Sequence, residues 1–172
     1  MDFTGKVDVI TGASSGIGEA LVYAFADRGA KVVMGARNSA KLAEIAAQLF
    51  TRGIESAFEA TDVTRDKALS AFGRIDILIC NAGISMRALF DDVQLDVLRQ
   101  LMDVNFWGTV YCAKYALPAL QAAKGTLVGV SSVAGMHGLP GRTGYSASKF
   151  AMTGLLETIR IENLKKGVHV MV

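Results

Sequence analysis

Thr11-Gly12-Ala13-Ser14-Ser15-Gly16-Ile17-Gly18 decides how this chain reads. The apolar run Val7–Thr11 precedes it and reads as a buried strand. Ser15–Arg28 follows as a helix, with Ile17, Leu21 and Phe25 on one stripe and Gly29 as its stop. Between them Gly12 lets the chain turn sharply and Gly16 leaves room for a pyrophosphate against the backbone. Gly18 lets the helix pack close to the strand. A helix N-terminus offers free N–H groups and partial positive charge to phosphate. A glycine-rich turn with no ligand is the alternative, and the strand-before, helix-after context argues against it.

The same alternation continues outward. Strands are expected at Lys31–Gly35, Ile54–Ala60, Ile75–Cys80, Gly125–Ser131 and Val168–Val172. Asn38 is placed to cap a helix running through Leu49 or Phe50. A long helix is expected over Asp92–Leu117, interrupted at Gly108 and closed near Pro118, and another over Tyr145–Lys166. Strand, helix, strand repeated in this way predicts an α/β fold: a doubly wound parallel sheet of Rossmann type with helices on both faces. Its ligands should bind at the carboxyl ends of the strands.

With 172 residues the chain forms one expected domain over 1–172, long enough to bury about 70% of its unfolded surface. A net charge of +2, with basic residues scattered, gives no reason to expect nucleic acid or an anionic membrane as partner. No stretch approaches the ~20 apolar residues of a membrane span, and the cytoplasm is the expected compartment. Cys80 and Cys112 fit no metal or disulfide spacing, and Cys80 reads as a buried reduced thiol. Neither His137 nor His169 joins a ligand cluster, so no metal is expected, and His137 reads as a loop residue near the site.

The residues just after each strand carry the chemistry. A carboxylate after the second strand would bond the adenosine ribose 2′-hydroxyl and select NAD. None is present, and Arg37 suits a 2′-phosphate, so NADP is expected over NAD unless Arg37 is only a solvated helix-start residue. Asp62 could accept from an adenine amino group or cap a helix beginning near Thr64. Asn105 lies mid-helix, an awkward place for Asn, and is either functional or a core amide satisfied by backbone. Tyr145 and Lys149 stand four apart on one helix face. A phenol titrates near 10, and a neighbouring ammonium favours its phenolate, making it a usable proton donor and acceptor. A surface pair on an amphipathic helix is the alternative.

Together these residues resemble the short-chain dehydrogenase/reductase family from Gly5-Lys6 to Val172. The resemblance rests on Thr11–Gly18, Asn81-Ala82-Gly83, Asn105, Ser132 and Tyr145-Ser146-Ala147-Ser148-Lys149. The family's serine lies thirteen residues before its tyrosine, which selects Ser132 over Ser131. The resemblance implies Tyr145 as acid/base, Lys149 activating it and bonding the nicotinamide ribose, and Ser132 orienting the substrate oxygen. Asn105 would hold a relay water. It implies dinucleotide contacts from Gly12, Ser14, Ser15, Gly16, Ile17, Gly18, Arg37, Asp62, Val63, Asn81, Ala82 and Gly83, as well as Tyr145 and Lys149. A small carbonyl or alcohol substrate and a homodimer or homotetramer are implied as well. A non-catalytic dinucleotide-binding module is the competing expectation.

Three departures stand out. Family members run past the sixth strand, where this sequence stops. Thr64–Phe72, at ~14 Å of helix, barely spans a strand of ~17 Å. Parallel crossovers usually take about a dozen residues or more. The expectation is therefore that the natural polypeptide is longer. Lastly, Asp8 falls inside a strand that should be apolar, where an unpaired carboxylate is costly.

Overall fold

The computed structural model describes residues 2–64 and 74–172. Six strands form one sheet: β1 (Val7–Thr11), β2 (Lys31–Ala36), β3 (Ser56–Ala60), β4 (Ile77–Cys80), β5 (Thr126–Gly129) and β6 (His169–Met171). Every pairing is parallel and the order is β3-β2-β1-β4-β5-β6. This is the doubly wound sheet expected from the alternation. Strand order reverses between β1 and β4, which opens a crevice at their carboxyl ends. The helix expected over Thr64–Phe72 lies almost wholly outside the described residues.

Register sorts the side chains onto two faces. Ala57, Val33, Val9, Leu78, Leu127 and Val170 align across all six strands. All but Ala57 belong to a core built with Cys112, Ala116 and Leu120 of α4 (Gly108–Ala123) and Met152 and Leu156 of α5 (Thr143–Asn163). The opposite face packs Ile10, Val32 and Met34 against α1 (Gly16–Ala26) and α2 (Ser39–Thr51). Full burial of one such aliphatic side chain contributes roughly 1.5–3 kcal/mol, so these two layers hold the strand ends, and hence the site, in place.

Local chemistry sets the helix ends. The Asn38 side chain accepts the Lys41 N–H at 3.1 Å, which caps α2 as expected. On α1 the buried stripe is Gly18, Val22 and Ala26, one residue on from the expected one, and Ile17 is exposed. Ala20–Ala26 is apolar all round apart from Tyr23, so periodicity alone does not choose the inner face.

The helix expected over Asp92–Leu117 is instead three pieces. α3 (Leu95–Leu101) runs into a π-helical turn (Met102–Trp107) and then α4. Val93 and Gln94 are extended, which delays the start. Pro118 does not close the helix: α4 continues to Ala123 and ends at Lys124 in the left-handed region, φ 48°. Burial of Ala116 and Leu120 on either side of Pro118 holds that turn helical despite a cost of about 3 kcal/mol. The π turn ends just before Gly108, which packs so closely on Val63 that a Cβ there would meet Val63 Cγ2 at 2.8 Å. β3, β4, β5 and β6 are each shorter than expected, and α5 begins at Thr143 and gives way to a 3-10 turn at Leu164–Lys166.

Candidate active site

The glycine turn is tied down from both neighbouring strands. Thr11 Oγ1 accepts the backbone N–H of Asn81 and of Ala82, both at 3.0 Å, and donates to Ile79 O at 3.3 Å. Asn81 Nδ2 donates to Thr11 O and Gly12 O at 3.0 and 3.4 Å. Ala13 N–H reaches across to Gly35 O at 3.2 Å. Asn81 is thus a brace that holds the turn against β4. Gly18 is packed so tightly that a Cβ would sit 2.2 Å from Gly12 O. Gly12 and Gly16 both have positive φ, and the space where a Gly16 side chain would stand is open. Ser15 precedes α1 without a side-chain cap bond, which leaves the first N–H groups free of that partner.

A cleft of about 430 Å³ opens over this turn. Ten of the residues expected to touch a dinucleotide line it: Gly12, Ser14, Ser15, Ile17, Arg37, Asp62, Val63, Asn81, Ala82 and Gly83. Gly16, Gly18, Tyr145 and Lys149 are not among its lining. Thr61, Ile84 and Val104 line it as well, and sequence reading passed over them. Each is the immediate neighbour of a residue named from sequence (Asp62, Gly83 and Asn105), so adjacency was the available signal. Arg37 is exposed, and no described carboxylate pairs with it, whereas nearby Lys41 is engaged by Glu19 and Glu44. Asp62 Oδ1 accepts from Thr64 N and Thr64 Oγ1 at 3.1 and 2.9 Å while lining the cleft, so its local turn and its place at the site coexist.

Lys149 and Tyr145 meet at the other end of the crevice. Lys149 is buried, and its Nζ stands 5.9 Å from the centroid of the Tyr145 ring. Nζ donates to Val130 O at 2.7 Å. Burial pulls the Lys149 pKa below its ordinary value, and the Cys80 thiol opposes that shift. A Cβ on Gly83 would lie 3.2 Å from Asn105 Oδ1 and 3.6 Å from Lys149 Nζ, so the Asn81–Gly83 segment, Asn105 and Lys149 converge. Ser132 sits past the end of β5, where its Oγ accepts the Ala134 N–H at 3.2 Å. Ser131 is turned the other way: its hydroxyl contacts Thr153 Oγ1 at 3.1 Å. The two adjacent serines are therefore distinct, and Ser132 is the one not spent on α5.

Asn105 is fully buried in the π turn, and the protein satisfies its amide. Oδ1 accepts Ile84 N–H at 2.8 Å; Nδ2 donates to Ile84 O and to Ser148 Oγ, each at 2.9 Å. Both side-chain N–H groups are thus used within the protein. Ser148 was missed from sequence. It is fully buried and donates to Tyr145 O at 2.8 Å, joining Asn105 to the first turn of α5. Its only signal was its place three residues after Tyr145.

This geometry has known relatives. A family model described as short chain dehydrogenase matches residues 6–172. The chain belongs to the short-chain dehydrogenase family. An 11-beta-hydroxysteroid dehydrogenase A of Sesamum indicum is 39% identical over 171 residues, covering 94% of this chain and 49% of that protein. Among solved structures, an alcohol dehydrogenase from Thermococcus sibiricus complexed with 5-hydroxy-NADP matches with a TM-score of 0.91 and 30% identity, covering 96% of this chain and 73% of that one. A short-chain dehydrogenase/reductase from Burkholderia phymatum in complex with NAD matches with a TM-score of 0.91 and 29% identity, over 99% of this chain and 66% of that one. The chain spans about half the length of its plant relatives (49% and 55% for two of them). Among the described residues no helix is long and apolar enough to cross a membrane.

Proposed function

We propose that residues 1–172 form one domain that binds NADP(H) and carries the proton-transfer residues of an oxidoreductase interconverting a carbonyl and an alcohol. The observation that carries this reading is the meeting of a buried Lys149 ammonium with the Tyr145 ring beside the cleft over the glycine turn. The cleft fits a dinucleotide: open space at Gly16, an α1 N-terminus without a side-chain cap, and two positive-φ glycines allow a pyrophosphate to lie against the backbone. Both NADP and NAD forms occur with the solved relatives, so the preference for NADP rests on Arg37 at the end of β2.

When bound, the nicotinamide supplies or takes up the hydride. Tyr145 Oη gives a proton to the carbonyl oxygen, or takes one from the alcohol in reverse. Lys149 holds positive charge against the phenol and favours its ionised form. Ser132 Oγ hydrogen-bonds the substrate oxygen and fixes its orientation. Asn105 acts through Ile84 and Ser148 as a positioning residue. Exposed Trp107, Tyr115, Phe150 and Ile161 along the π turn, α4 and α5 support a homodimer or homotetramer.

The test is NADPH oxidation against a panel of ketones and aldehydes. Tyr145→Phe should lower turnover by roughly 10²–10⁴-fold while NADPH still binds. Turnover that survives within tenfold sinks the mechanism. NADPH binding by the wild type, with no turnover on any compound, would favour a binding module.

A further inference from the structure

Lys149 is held at both ends by one strand end. At its tip, Nζ donates to Val130 O at 2.7 Å. At its root, the Lys149 carbonyl accepts the Thr153 hydroxyl at 3.0 Å, one helical turn on. The same Thr153 oxygen stands 3.1 Å from Ser131 Oγ. Thr153 has a single hydroxyl hydrogen and spends it on Lys149 O, so Ser131 is the donor across that contact. Val130 and Ser131 are consecutive, just past β5. The ammonium and the backbone of Lys149 therefore hang from neighbouring residues, the first directly and the second through Thr153.

A threonine that bonds back to the carbonyl four residues earlier is ordinary in a helix. Thr109 and Thr158 do the same to Asn105 O and Gly154 O. Among the described residues, Thr153 is the one of these three that also takes a bond from the sheet. Gly135 packs on the same place from a third side. It is buried, and a Cβ there would stand 2.7 Å from Ser131 Oγ and 3.2 Å from both the carbonyl carbon and Cβ of Lys149. Tyr145 has a separate hold, because Ser148 Oγ accepts from Asn105 Nδ2 and donates to Tyr145 O. A lysine head rides on a flexible four-carbon stem. With only the head held, the stem could take up a shift of α5. With root and head both fixed to β5, the place of the ammonium is set by the sheet.

We infer that Ser131 and Thr153 form a clamp that positions Lys149 and so sets how its ammonium stands against the Tyr145 ring. Both act through Lys149 and are positioning residues. This rests on the oxidoreductase reading above and goes beyond it by assigning two residues outside the Tyr145 and Lys149 pair.

The experiment measures NADPH-dependent reduction of cyclohexanone by purified protein. Thr153→Val keeps the shape of the side chain and removes both bonds. Ser131→Ala removes only the bond between strand end and helix. Each should lower kcat roughly tenfold or more, since a misplacement of about 1 Å can cost ~10²-fold. KM for the ketone should stay within about twofold, because ground-state binding is untouched. Thr153→Ser should restore kcat. The double variant should lose no more than Thr153→Val, because the Ser131 donor already lacks its acceptor. An unchanged kcat in both single variants overturns the clamp, as does an equal loss in Thr153→Val and Thr153→Ser. Absence of turnover by the wild type on any ketone or aldehyde counts against the oxidoreductase reading, and the Lys149 ammonium then decides the clamp. Its nitrogen-15 NMR signal is assigned by its loss in Lys149→Met. Its protons should exchange with water roughly fivefold faster in Thr153→Val and Ser131→Ala, the factor for about one hydrogen bond, and at the wild-type rate in Thr153→Ser. Exchange in Thr153→Val at the wild-type rate, or no faster than in Thr153→Ser, overturns it.

Discussion

Replacing Asp8 with Asn should flatten the dependence of folding stability on pH between about 4 and 7. Asp8 lies in the central strand, paired in register with Val32 on one side and Ile77 on the other. Its side chain is fully buried, and no described residue donates to either carboxyl oxygen. Burial raises its pKa from 3.8 to about 7; the nearby Asp76 carboxylate adds to the rise and Lys6 opposes it. A folded-state pKa above the unfolded one means that the folded chain holds this proton more tightly. Its contribution to stability is therefore complete below pH 3.8 and is lost as the pH rises through about 7. At 1.36 kcal/mol per pKa unit the full loss is about 4 kcal/mol.

Asp76 works with the opposite sign. The Arg74 guanidinium holds its carboxyl well below the usual range, against the effect of burial and helped by the Val7 N–H and Lys6. Its stabilisation is present above the unfolded pKa and is lost on acidification below about 4. The combined contribution of these two carboxyls is therefore greatest near pH 4. Asp8→Asn keeps the shape and removes the titration, so only the Asp76 limb should remain. Urea unfolding at a series of pH values measures this. With a slope of about 2 kcal/mol/M, the gain of the variant over wild type should grow by about 2 M in midpoint between pH 4 and 8. Parallel curves for the two proteins over that range would refute the reasoning, because they would mean that Asp8 is ionised at no cost.

Two glycines of the same turn should respond differently. Gly18→Ala puts a Cβ 2.2 Å from Gly12 O and 2.6 Å from Asn81 Nδ2, and should destabilise the fold by about 3 kcal/mol in urea unfolding. Gly16→Ala meets no atom within 4 Å and should cost only about 1–2 kcal/mol of left-handed strain, its main effect being weaker NADPH binding by calorimetry. Equal destabilisation by both would contradict the packing described. Arg37→Ala should weaken NADPH binding by roughly tenfold or more and leave NADH unaffected, as expected for loss of a charge-assisted hydrogen bond. An unchanged preference would remove Arg37 from the cofactor site.

Much of this arrangement could be read from residue order because its determinants are local. β1 matches its expected span because Val7, Val9 and Ile10 are apolar and the segment is bounded by Lys6 and a positive-φ Gly12, with Asp8 the exception inside it. The α2 cap was legible because an Asn oxygen reaching an N–H three residues on is a property of one turn. The inner face of α1, the π turn and the passage of α4 through Pro118 were not legible, because each is decided by what packs against it. Asn105 shows why the site divides the same way. Its odd position mid-helix was visible, but its partners, Ile84 and Ser148, lie 21 and 43 residues away. Only the fold brings the loop after β4 and the first turn of α5 to the same amide. A residue that acts by joining two distant segments carries no spacing signature of its own. Ser148 escaped notice for that reason, while Tyr145 and Lys149, four apart on one helix, did not. The pair is nonetheless held in place from outside its own helix. Val130 O fixes the Lys149 ammonium and Ser148 passes the hold of Asn105 to the Tyr145 carbonyl, so the placement of the pair belongs to the sheet edge as a whole.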